Sequence, residues 1–161
     1  MASQEEQVGY ASLLERFEES IGELYKEYAR LFPHHKRVWQ GLADDEIQHA
    51  DWVRTLRARI EDGSVRFSQE HVISPDHVLN ALDGVARLLA RAKEGRVLPV
   101  DGLAAALSLE REMIENEWFR FFETDADLIK RVLQSLGNDT RRHADSLQRL
   151  WDDDVNRPQS G

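Results

Sequence analysis

The chain contains no cysteine, which excludes disulfides, zinc ribbons, iron–sulfur clusters and thiol catalysis together. It has no apolar run near the ~20 residues needed to span a bilayer. Its first residues, MASQEEQVGY, lack the basic-then-apolar pattern of a secretion signal. Basic residues are outnumbered 21 to 30, leaving a net charge of −9 and a pI near 5.1. That balance argues against a nucleic-acid or anionic-membrane partner. A cytoplasmic protein is the expectation. The 161 residues suffice for one domain burying about two-thirds of its unfolded surface. Residues 1–154 are expected to form it, with 155–161 as a flexible tail.

What is present is a duplication. Lys36 to Asp51 reads KRVWQGLADDEIQHAD, and Lys130 to Asp145 reads KRVLQSLGNDTRRHAD; nine of sixteen positions are identical without a gap. Among them are Val38/Val132, Leu42/Leu136, Asp45/Asp139 and His49/His143. Both copies carry a helical stripe. At about 100° per residue from Leu42, the residues Val38, Val53, Leu56 and Ile60 fall within about 40°, and Glu46 and His49 fall among them. The second copy repeats the face with Ile129, Val132, Leu133, Leu136, Leu147 and Leu150 around His143, but has Thr140 where the first has Glu46. A carboxylate and an imidazole turned into a core cost several kcal/mol unless something satisfies them. A metal ion is one candidate, because i, i+3 spacing sets Glu and His side by side.

In chain order, the pattern predicts a first helix from about Gln4 to Leu31 with the stripe Tyr10, Leu14, Phe17, Ile21, Leu24, Tyr25 and Tyr28. Glu18 is its inward-leaning carboxylate. Pro33 ends that helix, and the next should run to Glu61 or Asp62 with Gly63 closing it. Val65 to Ser74 is expected to be a polar connection. Ser74-Pro75-Asp76 opens an amphipathic helix that Gly95 closes, and this helix is expected to belong to a long crossover. Val97 to Gly102 is expected to be another break. A helix from about Asp101 to Glu123 follows, with Glu110 at the centre of its apolar face and Glu117 close by. Asp125 to Asp127 opens the last helix, which runs to about Trp151.

The expected architecture is all-α: an antiparallel four-helix bundle with a long crossover carrying an extra helix. Bundles that hold di-iron centres take one Glu from each of two helices and Glu-x-x-His from each of the other two. Glu18, Glu46, His49, Glu110 and His143 supply five of those six ligands in chain order.

With these residues in view, the chain resembles a ferritin-like protein of the rubrerythrin type. Glu18 with Tyr25 seven residues on, DDEIQHA, LERE at Glu110 and DTRRHA follow that family's helix-by-helix pattern over almost the whole length. The resemblance implies a dinuclear iron site that reacts with peroxide or dioxygen. In it Glu18 is terminal on one metal, Glu46 bridges, His49 completes that metal's shell, and Glu110 and His143 serve the second. It also implies a homodimer. Rubrerythrins often carry a rubredoxin module with paired CxxC motifs. This chain has none, so electrons would come from a separate donor.

Thr140 departs from the pattern by removing the second bridging carboxylate. Three carboxylates against two ferrous ions leave the site near +1, which weakens the second metal most. Oxygen and imidazole donors also suit zinc or manganese. Asp139 could swing in as a replacement ligand. Two rival readings follow: a degenerate, non-catalytic scaffold, and a mononuclear site at Glu18, Glu46 and His49. Around the site, Tyr25 and Tyr28 could donate to a ligating carboxylate or be plain core aromatics. Asp51 and Asp145 could bond a ligand histidine of the neighbouring helix or be solvated. Trp52 could lie on a dimer face. His34, His35, His71 and His77 are expected at the surface.

Overall fold

The structure, a computed structural model, describes residues 3–68, 74–116 and 122–155. His71, Glu117, Trp118, Phe121 and the segment 156–161 lie outside the described residues. Five α-helices make up most of what is described, so the fold is all-α. None of the described helices is long and apolar enough to cross a membrane.

Helix α1 spans Gln4–Leu31 and starts in a capping box: Ser3 Oγ accepts from Glu6 N, and Glu6 Oε2 accepts from Ser3 N. The box satisfies two otherwise orphaned amides at the helix start. Phe32 closes α1, and Pro33 begins a single 3₁₀ turn, Pro33–His35, that reverses the chain. Helix α2 spans Lys36–Glu61 and stops before Gly63, whose φ of 84° suits glycine. Ser74 caps α3, Pro75–Lys93, by accepting from Asp76 N, with Pro75 in its first turn. Helix α4 spans Pro99–Asn116, and α5 spans Asp127–Val155.

Four of these helices run antiparallel around a shared interior. The start of α1 meets the end of α2, where Gln4 Nε2 donates to the carbonyls of Ile60 and Glu61. Arg54 and Arg57 of α2 grip the buried Glu15 of α1 at 2.8 Å each. Tyr25 reaches Glu110 and Phe32 abuts Gly102, so α4 runs against α1. Helix α5 runs against α2, with His49 beside Asp139 and His143 beside Asp45. The interior is filled by Leu14, Phe17, Ile21, Leu24, Trp39, Val53, Leu56, Leu103, Ala106, Leu136 and Leu147. Each large aliphatic or aromatic side chain here contributes about 1.5–3 kcal/mol by leaving water. At one end Tyr25, Tyr28 and Phe32 pack around Trp39, with Tyr28 edge-on at 4.9 Å between ring centres.

Three expectations need correction. Val65 to Phe67 is not an irregular connection. It forms a strand, β1, paired antiparallel with a second strand, β2, Phe122–Thr124, in the register Val65 with Thr124 and Phe67 with Phe122. The helix expected over Asp101 to Glu123, α4, therefore does not reach Glu123. That stretch is extended because its backbone finds a partner strand and Phe122 packs on Phe67 at 4.9 Å. Nor is Val97 to Gly102 all break, since α4 already begins at Pro99. Proline is well suited to a first helical position, and Gly102 sits inside the helix where a Cβ would come within 2.7 Å of the Phe32 ring. The amphipathic helix expected in the crossover is present as α3. It packs along α1 and buries Val78, Val85 and Ala92, one residue every second turn.

Candidate metal centre

Each of the four antiparallel helices brings a polar group into the interior. Glu18 comes from α1, Glu46 and His49 from α2, Glu110 from α4 and His143 from α5, and none is more than 2% exposed. The i, i+3 spacing of Glu46 and His49 puts both on the buried face of α2. All five therefore lie where their stripes predict. They form two three-residue sets, Glu18/Glu46/His49 and Glu46/Glu110/His143, whose potential donor atoms lie within 4.8 Å of one another. Glu46 belongs to both.

The two histidines present the same nitrogen inward. His143 Nδ1 lies 3.1 Å from Glu46 Oε1 and 3.5 Å from Glu110 Oε1. His49 Nδ1 lies 3.4 Å from Glu46 Oε2 and 3.9 Å from Glu18 Oε2. Each outer nitrogen meets an aspartate: His49 Nε2 is 3.1 Å from Asp139 Oδ2, and His143 Nε2 is 3.0 Å from Asp45 Oδ2. An ionised aspartate can only accept, so Nε2–H donates in both rings and Nδ1 faces the carboxylates. The two rings stack at 5.4 Å, and Trp52 covers the other side of His49 at 5.6 Å.

Asp45 and Asp139 occupy equivalent positions in the duplicated segment, and each holds the histidine of the other copy. Asp51 and Asp145, for which the sequence leaves both a histidine partnership and a solvated role open, take the solvated one. Asp51 pairs with Arg54 on its own helix, and Asp145 is exposed. Nor does Asp139 replace the missing carboxylate, because its Oδ2 is committed to His49. The signal was available in the sequence, since both aspartates are identical between the copies four residues before each histidine.

Thr140 is buried three residues before His143, and its hydroxyl donates back to the Leu136 carbonyl at 2.9 Å. The second copy thus brings no carboxylate at this position. Tyr25 Oη donates to Glu110 Oε1 at 2.8 Å, as one reading of that tyrosine expected. Tyr28 Oη has no hydrogen-bond partner among the described residues.

Packing three carboxyl groups together out of water forces their protons to redistribute. Burial pushes the Glu18 carboxyl well above its ordinary range, and the neighbouring charges of Glu46 and Glu110 push it further. Glu110 is raised to about 7 by burial and by the charge of Glu46. Burial acts on Glu46 in the same sense, but hydrogen bonds from Glu18, His143 and His49 outweigh it and hold Glu46 ionised. Burial would discharge His143, yet hydrogen bonds to Glu110 and Glu46 raise it to about 11. His49 is likewise raised, with Glu46 and Asp139 outweighing burial. By themselves these side chains therefore compensate their charge with protons.

A divalent cation fits the same donor set. Among the described residues, one oxygen each of Glu18, Glu46 and Glu110 is buried without a hydrogen-bond partner, a costly condition unless something positive is near. Oxygen and imidazole donors suit Fe²⁺, Zn²⁺ or Mn²⁺. Comparison of the chain with protein-family models, with curated proteins and with solved structures found no match.

Proposed function

We propose that this chain is a rubrerythrin-like metalloprotein built as a ferritin-like four-helix bundle. Its centre would hold iron in a carboxylate-bridged pair that serves peroxide- or oxygen-dependent oxidoreductase or ferroxidase chemistry. The observation that carries the reading is the position of Glu46, shared by two three-donor sets drawn from four helices. Glu18 and His49 would complete one shell, and Glu110 and His143 the other. When bound, a pair of irons supplies one-electron steps and a Lewis acid for an oxygen ligand.

The protein's own contribution is legible in the side chains. Asp139 and Asp45 hold both imidazoles with Nδ1 inward. Tyr25 orients Glu110 by donating to one of its oxygens. The surrounding aromatic and aliphatic side chains keep bulk water from the cluster.

Thr140 favours a second reading, a single-metal site at Glu18, Glu46 and His49 that stores or senses an ion. Its hydroxyl is satisfied by its own helix, and three carboxylates do not neutralise two divalent ions. Metal analysis of the purified chain beside a Glu46→Ala variant separates the possibilities. Two irons per chain with a peroxide-dependent absorbance change, both lost in the variant, support the dinuclear enzyme. One ion without turnover supports the storage site. Absence of bound metal after exposure to Fe²⁺, Zn²⁺ and Mn²⁺ refutes both and leaves a degenerate scaffold.

A further inference from the structure

The five interior groups are sealed from water, but two of their partners are not. The side chains of Asp45 and Asp139 are 42% and 21% exposed, against 2% or less for Glu18, Glu46, His49, Glu110 and His143. Among the described residues, these aspartates give the cluster a polar connection to solvent, along the seam where α2 meets α5. Elsewhere, among the described residues, Tyr25 meets the cluster, Trp52 stacks on His49, and the rest of the interior is apolar core. A hydrated dication crossing such packing would shed its water with nothing to replace it, a cost of many kcal/mol. Carboxylates stepping inward to imidazoles offer replacement ligands along the way.

One residue covers both aspartates. Arg142 Nη2 lies 2.8 Å from Asp139 Oδ1 and 3.5 Å from Asp45 Oδ2. Its counterpart in the first copy is Gln48. The duplication is thus symmetric in the aspartates and histidines and asymmetric in the cation above them, so a single guanidinium serves both sides.

We propose that Arg142 is the latch of the ion's entry route, a positioning residue that caps Asp45 and Asp139 and swings away when a divalent cation passes between α2 and α5. The inference rests on the metal-binding reading above. A guanidinium at this spot opposes an incoming cation and occupies the carboxylate oxygens that would receive it. Arg142 is itself 60% exposed, so the clamp is weak and opens readily. Exposed ion pairs of this kind slow a competing partner by only a few-fold each. The latch therefore sets how fast the centre fills and leaves how much it holds unchanged.

The test is stopped-flow loading of the full chain with Co²⁺ alone, followed by the visible absorption of the bound ion, with equilibrium stoichiometry measured in parallel. Arg142→Gln should load roughly 3- to 10-fold faster than the natural chain and reach the same stoichiometry. Arg142→Lys should stay near the natural rate, because the positive charge remains. Arg91→Gln, an exposed arginine on α3, makes the same change in net charge and should leave the rate unmoved. Equal rates for the natural chain and Arg142→Gln, a slower Arg142→Gln, or equal acceleration by Arg91→Gln overturns the latch while the metal centre stands. Absence of bound Co²⁺ at saturation in the natural chain overturns both.

Discussion

Binding of a divalent cation at the interior cluster should release protons, and the affinity should fall steeply towards acid. In the metal-free protein Glu18 is held protonated well above its ordinary range, His143 is charged up to about pH 11, and Glu110 is half-protonated near pH 7. A cation needs the Nδ1 lone pairs and the ionised carboxylates. At neutral pH that displaces one proton from His143, roughly half of one from Glu110, and more from Glu18 and His49, which are also raised, so more than one proton leaves in all and the apparent affinity should change more than about tenfold per pH unit. Calorimetric titration with Zn²⁺ in two buffers of different ionisation enthalpy counts the protons directly. Fewer than about one proton per filled centre, or an affinity moving less than about tenfold per pH unit, would refute the charge accounting.

The same shifts fix the sign for stability. Glu110 is raised from 4.5 to about 7, so its contribution is fully present below 4.5 and lost as pH climbs through about 7. His143 is raised from 6.5 to about 11, so its contribution is present below 6.5 and lost on the way to 11. Glu46 is lowered and works oppositely, stabilising above 4.5 and losing that contribution as pH falls through its folded value. The metal-free chain should thus melt highest at mildly acidic pH and lose stability towards alkali. Saturating Zn²⁺ should reverse the alkaline trend, since it replaces the protons. A metal-free melting temperature that rises from neutral to alkaline pH would sink this account.

Thr140→Glu should lower metal-free stability by a few kcal/mol, because it buries another carboxyl, while raising the number of Zn²⁺ ions held. Destabilisation without added metal would mean that position 140 does not face the centre. Asp139→Ala should weaken Zn²⁺ binding by about 10- to 100-fold by releasing His49, whereas Asp145→Ala, exposed on the same helix, should bind as the natural chain does. Gly102→Ala drives a Cβ to 2.7 Å from Phe32 Cε2, and crowding of that kind costs about 1–3 kcal/mol, more than the helix propensity gained. Gly41→Ala, with nothing within 4 Å, should instead stabilise by about 0.5–1 kcal/mol. Denaturant midpoints that move the same way for both would contradict the packing seen at Phe32.

Which side chains enter the interior was decided locally, and periodicity displayed it. The stripe on each helix, the stop at Phe32-Pro33, the start at Ser74-Pro75 and the glycines at positions 63 and 95 are properties of short segments. Glu18, Glu46, His49, Glu110 and His143 could therefore be placed on buried faces before any fold was known. The strand pair was hidden. Val65–Phe67 and Phe122–Thr124 are three residues each, too short for an alternation to register, and their hydrogen bonds span more than fifty positions of chain. The apolar residues before Glu123 continued a helical period, and only the partner strand makes extension the better arrangement there.

The exchange of aspartates was likewise beyond the reach of one helix at a time. Asp45 and Asp51 both flank His49, and each reads alone as a solvated acid. Which of the two meets the histidine of the other copy depends on how far α5 is shifted along α2, and that register is set by the packing of the whole interior. The sequence by itself determined that acids and imidazoles leave water. The tertiary structure decided which of them stand within reach of one another, because helical phase is local while the offset between two helices is a property of every side chain between them.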